Sequence, residues 1–319
     1  MKALRDAYGE GLAELGGEYE NLFVLDADLT KSTKTEVFKK KYPERFINCG
    51  IAEGNMMSVA SGLATCGNIV FASTFAMFAA GRAYEQIRNS IAYPGTNVKI
   101  VATHAGLTVG EDGATHQCLE DMALMRAIPK MTVISPSDAV QTKAALRYAC
   151  QTKGPVYIRL GRLAVPVVHK EDYVFTPGSF VKIAEGSDMT ILYTGPFYQT
   201  ALEVKEMYEA KGVSVKILDV PSIKPMSEAA VKEAAQTGFI VTLEDHNIVG
   251  GFGSAVCETL LSLPKEFSKP RVLRLGANDR FGTSGTPAEI LKEYGLDAKS
   301  VALKIAEENY PELIGEFSK

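Results

Sequence analysis

The stretch Phe46-Ile47-Asn48-Cys49-Gly50-Ile51-Ala52-Glu53-Gly54-Asn55-Met56-Met57 carries the reading of the whole chain. A short apolar run ends at Gly50, and the small-residue segment Ser58-Val59-Ala60-Ser61-Gly62-Leu63-Ala64 continues it as a helix. Glu53 falls in the first turn of that helix, where an acid complements the helix dipole. The Gly, Ala and Ser residues around it let backbones approach closely and exclude water. A carboxyl group kept dry disfavours its charged form and becomes able to share or donate a proton. Two readings are open at Glu53, a helix-start acid and a catalytic acid, and the rest of the chain weighs between them.

Upstream, Leu22-Phe23-Val24-Leu25-Asp26 is a buried strand that ends in Asp26-Ala27-Asp28-Leu29, and Ser32 lies in the loop 30–35 beyond it. Helical spacing of Leu4, Ala7, Tyr8, Leu12 and Leu15 predicts a first helix over 2–15, stopped by Gly16-Gly17. Downstream, a strand over 68–72 leads into Ser73-Thr74-Phe75-Ala76-Met77-Phe78, and a helix is expected over 79–92. The strand over 98–102 is followed at once by His104 and a Gly-rich loop, 105–117, holding Glu111, Asp112 and His116. Helices over 119–127 and 138–150 and strands over 132–135 and 156–160 complete an alternating unit, with Arg159 and Arg162 at its exit. Polar groups thus collect past the carboxyl ends of parallel strands, where α/β proteins keep their sites.

The pattern lapses between 161 and 186, where Pro166, Pro177 and Gly178 punctuate the chain. A second alternating unit follows, with strands over 189–193, 215–220, 239–243 and 271–275 and helices over 198–210, 227–235 and 254–261, then from 287 and 299. The expected organisation is a first α/β domain over 1–165, a linker over 166–186 and a second α/β domain over 187–319. Gly250-Gly251-Phe252-Gly253-Ser254 has the look of a phosphate-cradling loop but lacks the third glycine of the dinucleotide fingerprint. It reads as a tight turn opening a helix, and a nicotinamide-dependent dehydrogenase is disfavoured.

With 319 residues, 46% of them hydrophobic, the chain suffices for two cores of ordinary size. The net charge of -4 is mixed throughout, with no basic stripe for nucleic acid. No apolar run has the length of a membrane span, and the start Met1-Lys2-Ala3-Leu4-Arg5-Asp6-Ala7-Tyr8 is too polar for a signal peptide. The five cysteines form no CxxC pair and no metal-type spacing, which fits reduced thiols in a cytoplasmic enzyme.

Taken together, Gly50-Ile51-Ala52-Glu53, the Ser-Thr-Phe-Ala-Met-Phe run over 73–78, and Thr103-His104 with Gly110-Glu111-Asp112-Gly113-Ala114-Thr115-His116-Gln117 resemble the transketolase family. More narrowly, the chain resembles the carboxyl-terminal subunit of a split transketolase. The resemblance covers nearly the whole chain, including Phe281-Gly282-Thr283-Ser284-Gly285-Thr286-Pro287 near its end. It implies a pyrimidine-binding parallel-sheet domain followed by the family's carboxyl-terminal α/β domain. The loop over 110–117 is its most specific motif and is shared with deoxyxylulose-phosphate synthases. The 2-oxoacid dehydrogenase β subunits have the same layout with a different His-containing loop.

The resemblance implies thiamin diphosphate as cofactor and a chemistry that needs these residue types. Glu53 matches the acid that hydrogen-bonds the aminopyrimidine ring nitrogen, so that the cofactor's own amino group serves as base. Phe75 and Phe78 match aromatics that line the aminopyrimidine pocket, with ordinary core packing as the alternative. His104 and His116 match histidines on the sugar's hydroxyl and carbonyl oxygens, a task suited to imidazole near neutral pH. Asp112 matches an aspartate that reads a substrate hydroxyl. Ser32 and Arg162 match positions that hold a sugar phosphate, and Asp28 is placed to face the thiazolium cation or simply to cap a turn. His246, beside Glu244 and Asp245, reads as a satisfied surface or interface residue.

Two departures stand out. The aromatic that transketolases often carry three positions after Phe78 is here Gly81. The Gly-Asp-Gly motif that fixes the diphosphate and its Mg2+ or Ca2+ occurs nowhere in the sequence. The expected enzyme is therefore a subunit that transfers a two-carbon ketol unit between sugar phosphates only with an amino-terminal, diphosphate-binding partner, most simply as α2β2. A deoxyxylulose-phosphate-synthase-like or 2-oxoacid dehydrogenase β-type subunit is the enzyme alternative. A non-catalytic binding or regulatory module of the same fold is the other.

Overall fold

The computed structural model describes residues 1–318. The first half supplies β1 (Leu22–Asp26), β2 (Phe46–Asn48), β3 (Ile69–Phe75), β4 (Val98–Thr103), β5 (Thr132–Ile134) and β6 (Val156–Arg159). The second half supplies β7 (Val181–Ala184), β8 (Met189–Tyr193), β9 (Val215–Asp219), β10 (Ser222–Lys224), β11 (Phe239–Asn247) and β12 (Arg271–Ala277). One sheet runs β10-β5-β6-β4-β3-β1-β2 and the other β12-β11-β8-β9-β7. Pairing is parallel throughout except at one edge of each, where β10 runs antiparallel to β5 and β7 antiparallel to β9. A two-residue ribbon pairs Lys2 with Val165 and ties the start of the chain to the exit of β6.

Every residue of β3 and β4 is buried, as expected for strands covered on both faces. Helices α1 (Leu4–Glu18) and α3 (Ala139–Gln151) pack Leu4, Tyr8, Leu12 and Leu146 against Val24, Phe71 and Ile158. The opposite face takes α2 (Glu53–Thr65) and the segment 77–92, with Met56, Ala60, Ile87 and Ile91 on Val70 and Ile100. That second cluster continues without a break into Leu218, Ile223, Val231 and Phe252 of the other half.

The structure corrects several local expectations. The first helix does not stop at Gly16-Gly17 but runs to Glu18. Gly16 is there for close packing: a Cβ on it would lie 2.5 Å from Tyr42 Cε2 and 2.7 Å from Phe38 Cε2. The loop over 30–35 contains a one-turn helix, Thr30–Thr33, hung on buried Asp26, which accepts from Leu29 N–H at 2.5 Å, Thr33 Oγ1 at 2.7 Å and Thr35 Oγ1 at 2.9 Å. The helix expected over 79–92 is instead two wide π-turns, Met77–Arg82 and Ile87–Ala92, around Tyr84–Gln86. The segment read as linker contains β7, and β10 crosses from the second half to complete the first sheet.

β11 is longer than its apolar run and carries Glu244, Asp245 and His246 into the interior, so His246 is fully buried rather than at the surface. Burial lowers its pKa to about 4, and its Nε2 accepts from Met122 N–H at 3.1 Å. Glu244 accepts from Phe252 N–H at 2.5 Å and Gly253 N–H at 2.9 Å, at the start of α4 (Phe252–Ser262). The chain's own carboxylate thus fills the Gly-rich turn, which leaves no cradle there for a phosphate.

Candidate active site

The carboxyl edge of the first sheet brings the candidate residues together. Ser32 lies past β1, Glu53 opens α2 beyond β2, Phe75 ends β3, His104 follows β4 by one residue and Arg162 follows β6 by three. His104 sits at φ +55, a left-handed conformation that turns the chain sharply out of the strand and into the loop.

Four rings form one wall. Phe75 stacks on His104 with centroids 3.9 Å apart and on Phe78 at 5.8 Å. His116 meets the edges of Phe75 at 6.2 Å and Phe78 at 5.5 Å. The wall is assembled from two strand ends and the far end of the Gly-rich loop. Thr115 Oγ1 is 3.0 Å from His116 Nδ1 and steadies that ring.

His104 is buried, and its pKa falls to about 3, chiefly through burial and then through the cations Arg5 and Arg162 and neighbouring His116. Arg5 Nη1 donates to His104 Nε2 at 3.2 Å and to Ser32 O at 3.3 Å. Because an arginine only donates, Nε2 is the accepting nitrogen, and Nδ1–H donates to Thr103 Oγ1 at 3.0 Å. The Arg5 Nε, by contrast, is buried with no partner among the described residues. Arg162 Nη1 donates to Val109 O at 2.7 Å and to Glu111 at 2.8 Å. Two guanidinium groups therefore flank His104 on the side of Ser32 and the loop.

Glu53 is 1% exposed. Arg82 Nη1 lies 3.2 and 3.0 Å from its two carboxyl oxygens, and the same guanidinium stands over the Phe78 ring at 5.0 Å. The acid and the aromatic wall are thus joined through Arg82. Gly81, where an aromatic was looked for, gives its space to Met77, whose methyl would lie 2.3 Å from a Cβ there. Asp28 is exposed in the left-handed region at φ +66 and pairs with Asn48, accepting from its Nδ2 at 3.0 Å. Asp112 ends the segment Leu107–Asp112, two 3-10 turns broken by a kink at Gly110, and its carboxyl makes no hydrogen bond among the described residues.

The second half holds this loop in place. Asp245 accepts from Leu107 N–H at 2.6 Å, Thr108 N–H at 3.3 Å and Thr108 Oγ1 at 2.5 Å. Gln117 Nε2 donates to Leu107 O, Gly110 O and Thr283 O. Buried Arg159 grips Asp121 at 2.9 Å and Asp245 O at 2.6 Å. The loop that carries both histidines is therefore positioned from both halves of the chain.

Residues 1–167 match the pyrimidine-binding domain of transketolases, and residues 178–301 match the transketolase C-terminal domain. The chain belongs to the transketolase family. It is 50% identical over 309 residues to a Methanocaldococcus jannaschii protein named as a transketolase C-terminal section, covering 96% of each. It is 38% identical over 299 residues to the 6-deoxy-6-sulfo-D-fructose transketolase subunit of a Clostridium species, covering 93% of this chain and 92% of that one. Human transketolase is 37% identical over 305 residues, of which the match takes 94% of this chain and 48% of the human protein. The chain thus spans about half the length of the longer transketolases it matches. A solved split-gene transketolase, titled an inactive β4 tetramer, superposes with a TM-score of 0.89 at 50% identity, over 98% of this chain and 99% of that one.

Two residues at this candidate site escaped the sequence reading. Arg5 shares the helix face of Tyr8, Leu12 and Leu15, and a cation on an apolar stripe is the signal that was available. Arg82 interrupts the small-residue run Ala79-Ala80-Gly81-Arg82-Ala83, a second cation out of keeping with its neighbours.

Proposed function

We propose that the chain is the substrate-side subunit of a two-subunit transketolase, transferring a two-carbon ketol unit from a ketose phosphate to an aldose phosphate. The observation that carries this is the buried acid Glu53 beside a ring wall of Phe75, Phe78, His104 and His116. A flat apolar face with one buried acid at its edge suits the aminopyrimidine half of thiamin diphosphate. When bound, that cofactor supplies the carbon nucleophile for the sugar carbonyl. Glu53 holds and moves the proton at the pyrimidine ring nitrogen, and Phe75 and Phe78 hold the ring flat. His104, as a neutral imidazole, and His116 bind the sugar's oxygens, and Asp112 reads a hydroxyl. Asp28 would face the cationic ring. Ser32 and Arg162, joined by Arg5 with its unpartnered Nε, take the phosphate.

The diphosphate and its divalent metal belong to the partner subunit, since the sequence has no Gly-Asp-Gly motif. Two features of the relatives support a split enzyme. Several are named as subunits or sections of transketolases, and the split-gene structure at 50% identity is titled inactive as a β4 tetramer. Named substrates among them include a sulfosugar and apulose 4-phosphate, so the substrate end varies within this group. The cation pair here suits an anionic substituent such as a phosphate ester.

The test replaces Glu53 in the reconstituted pair. Glu53→Ala is expected to slow exchange of the thiazolium C2 proton by at least ~100-fold while the fold survives, and Glu53→Gln to retain a hydrogen bond without proton movement. Near-normal exchange in either variant removes Glu53 from the chemistry. Turnover of xylulose phosphate with ribose phosphate, against turnover of pyruvate, separates this reaction from the synthase and dehydrogenase alternatives.

A further inference from the structure

We propose that Arg82 is the gate of the cofactor pocket: its guanidinium occupies Glu53 in the resting chain and must swing out before a pyrimidine ring reaches that acid. The inference rests on the role given to Glu53 above. Its geometry does not. Arg82 Nη1 bridges both carboxyl oxygens at 3.2 and 3.0 Å. The Glu53 side chain is 2% exposed and the Arg82 side chain 55%, so the guanidinium stands on the solvent side of the acid and covers it. It also lies over the Phe78 ring at 5.0 Å. An arriving planar ring needs the same two surfaces, the Phe78 face and the carboxyl edge.

Hydrogen-bond chemistry makes the competition stricter. A carboxylate held by a guanidinium has only acceptors to offer, and a neutral pyrimidine nitrogen is an acceptor too. The two are incompatible until the acid carries a proton. With Arg82 turned away, the carboxyl edge is open to the ring. The backbone supplies a place for the motion. Arg82 ends the π-turn Met77–Arg82, which is closed by Ala83 N–H donating to Phe78 O at 3.3 Å. A π-turn carries one residue more than an α-turn, which rotates the following side chain, and such turns recur at functional sites.

The experiment titrates thiamin diphosphate with Mg2+ into the chain reconstituted with its diphosphate-binding partner, by calorimetry. Arg82→Gln is expected to bind the cofactor about fivefold tighter or more, because a competitor for Glu53 has gone, with Arg82→Lys falling between it and the parent. Thermal unfolding of each isolated variant confirms that it is folded. Equal or weaker cofactor binding by folded Arg82→Gln overturns the gate. Glu53→Ala distinguishes the two ideas. If cofactor affinity ignores that change, Glu53 does not meet the ring, and the gate falls with the reading beneath it. If affinity drops with Glu53→Ala yet does not rise with Arg82→Gln, the role of Glu53 stands and the gate alone is refuted.

Discussion

His104 sits between two cations in a dry wall, and both facts act on its proton in the same direction. Burial first, then Arg5 and Arg162, bring its pKa to about 3, against an ordinary value of 6.5. Between those values an unfolded chain takes up a proton that the folded one refuses. The residue's contribution to stability is therefore intact above about pH 6.5 and is lost progressively as pH falls towards 3. We expect the His104 imidazole to remain neutral at pH 5 in a nuclear magnetic resonance titration; a midpoint near 6.5 would contradict the geometry. Arg162 supplies the second expectation at this scale. Its removal as Arg162→Ala should raise KM for phosphorylated sugars about 10- to 100-fold with little change in kcat, since a charge-assisted contact contributes about 1.5–3 kcal/mol in ground and transition states alike. Equal damage with unphosphorylated sugars would make the residue structural. Glu53, Phe75, Phe78, His104 and His116 were legible because each lies in or beside a short local motif. Arg5 and Arg82 were not, because their partners are far away in sequence: Arg5 finds His104 across 99 positions and Arg82 finds Glu53 across 29.

The loop between β4 and the helix Asp121–Ala127 shows what fixes an irregular element. Its start is Gly106 at φ +87, where an added Cβ would lie only 2.2 Å from the Asp245 carboxylate. Gly106→Ala would combine backbone strain with a direct clash against a buried charge. We expect a loss of about 3 kcal/mol or more in chemical denaturation, together with weakened turnover as both histidines lose their frame. A loss below about 1 kcal/mol would show that the Asp245 contact is soft. Elements with strong periodicity, such as α3, β8 and β9, were legible almost to the residue. β10 was not, because three residues between prolines, Ser222 to Lys224, carry no period. The π-turns within 77–92 give 79–92 the pattern of one plain helix, since apolar spacing alone does not separate 3.6 residues per turn from a wider winding. β11 outran its apolar run because its last acids and His246 are satisfied by Phe252, Gly253, Leu107, Thr108 and Met122, partners that only the folded chain supplies.

Across the whole molecule the two halves are fastened by a buried imidazole. His169 Nδ1 lies 2.9 Å from Asp138 Oδ2 and its Nε2 3.2 Å from Asp219 Oδ2, so one ring joins the first sheet's helix α3, the connecting segment and β9. Burial opposes its charge, but the two carboxylates outweigh burial and raise its pKa to about 9. The stability this provides is complete below about pH 6.5 and is lost as pH rises through 9. The melting temperature should therefore decline between pH 7 and 10 in the parent chain. In His169→Gln, which leaves two buried carboxylates without their cation, it should start lower by about 3 kcal/mol of stability and decline less. Identical pH slopes in the two proteins would dismiss the fastening role. β10 joins the same halves in another way, as the edge strand that covers β5. On the ribosome this has a cost in time. A nascent chain that has emerged only as far as residue 186 presents β5 as an open edge, a template for pairing with neighbouring nascent chains. Cover arrives only after residues 222–224 are made, a delay on the order of several seconds at ordinary elongation rates. Synthesis thus passes through an interval in which a nearly finished sheet is sticky, and slowing translation there should lower the soluble yield.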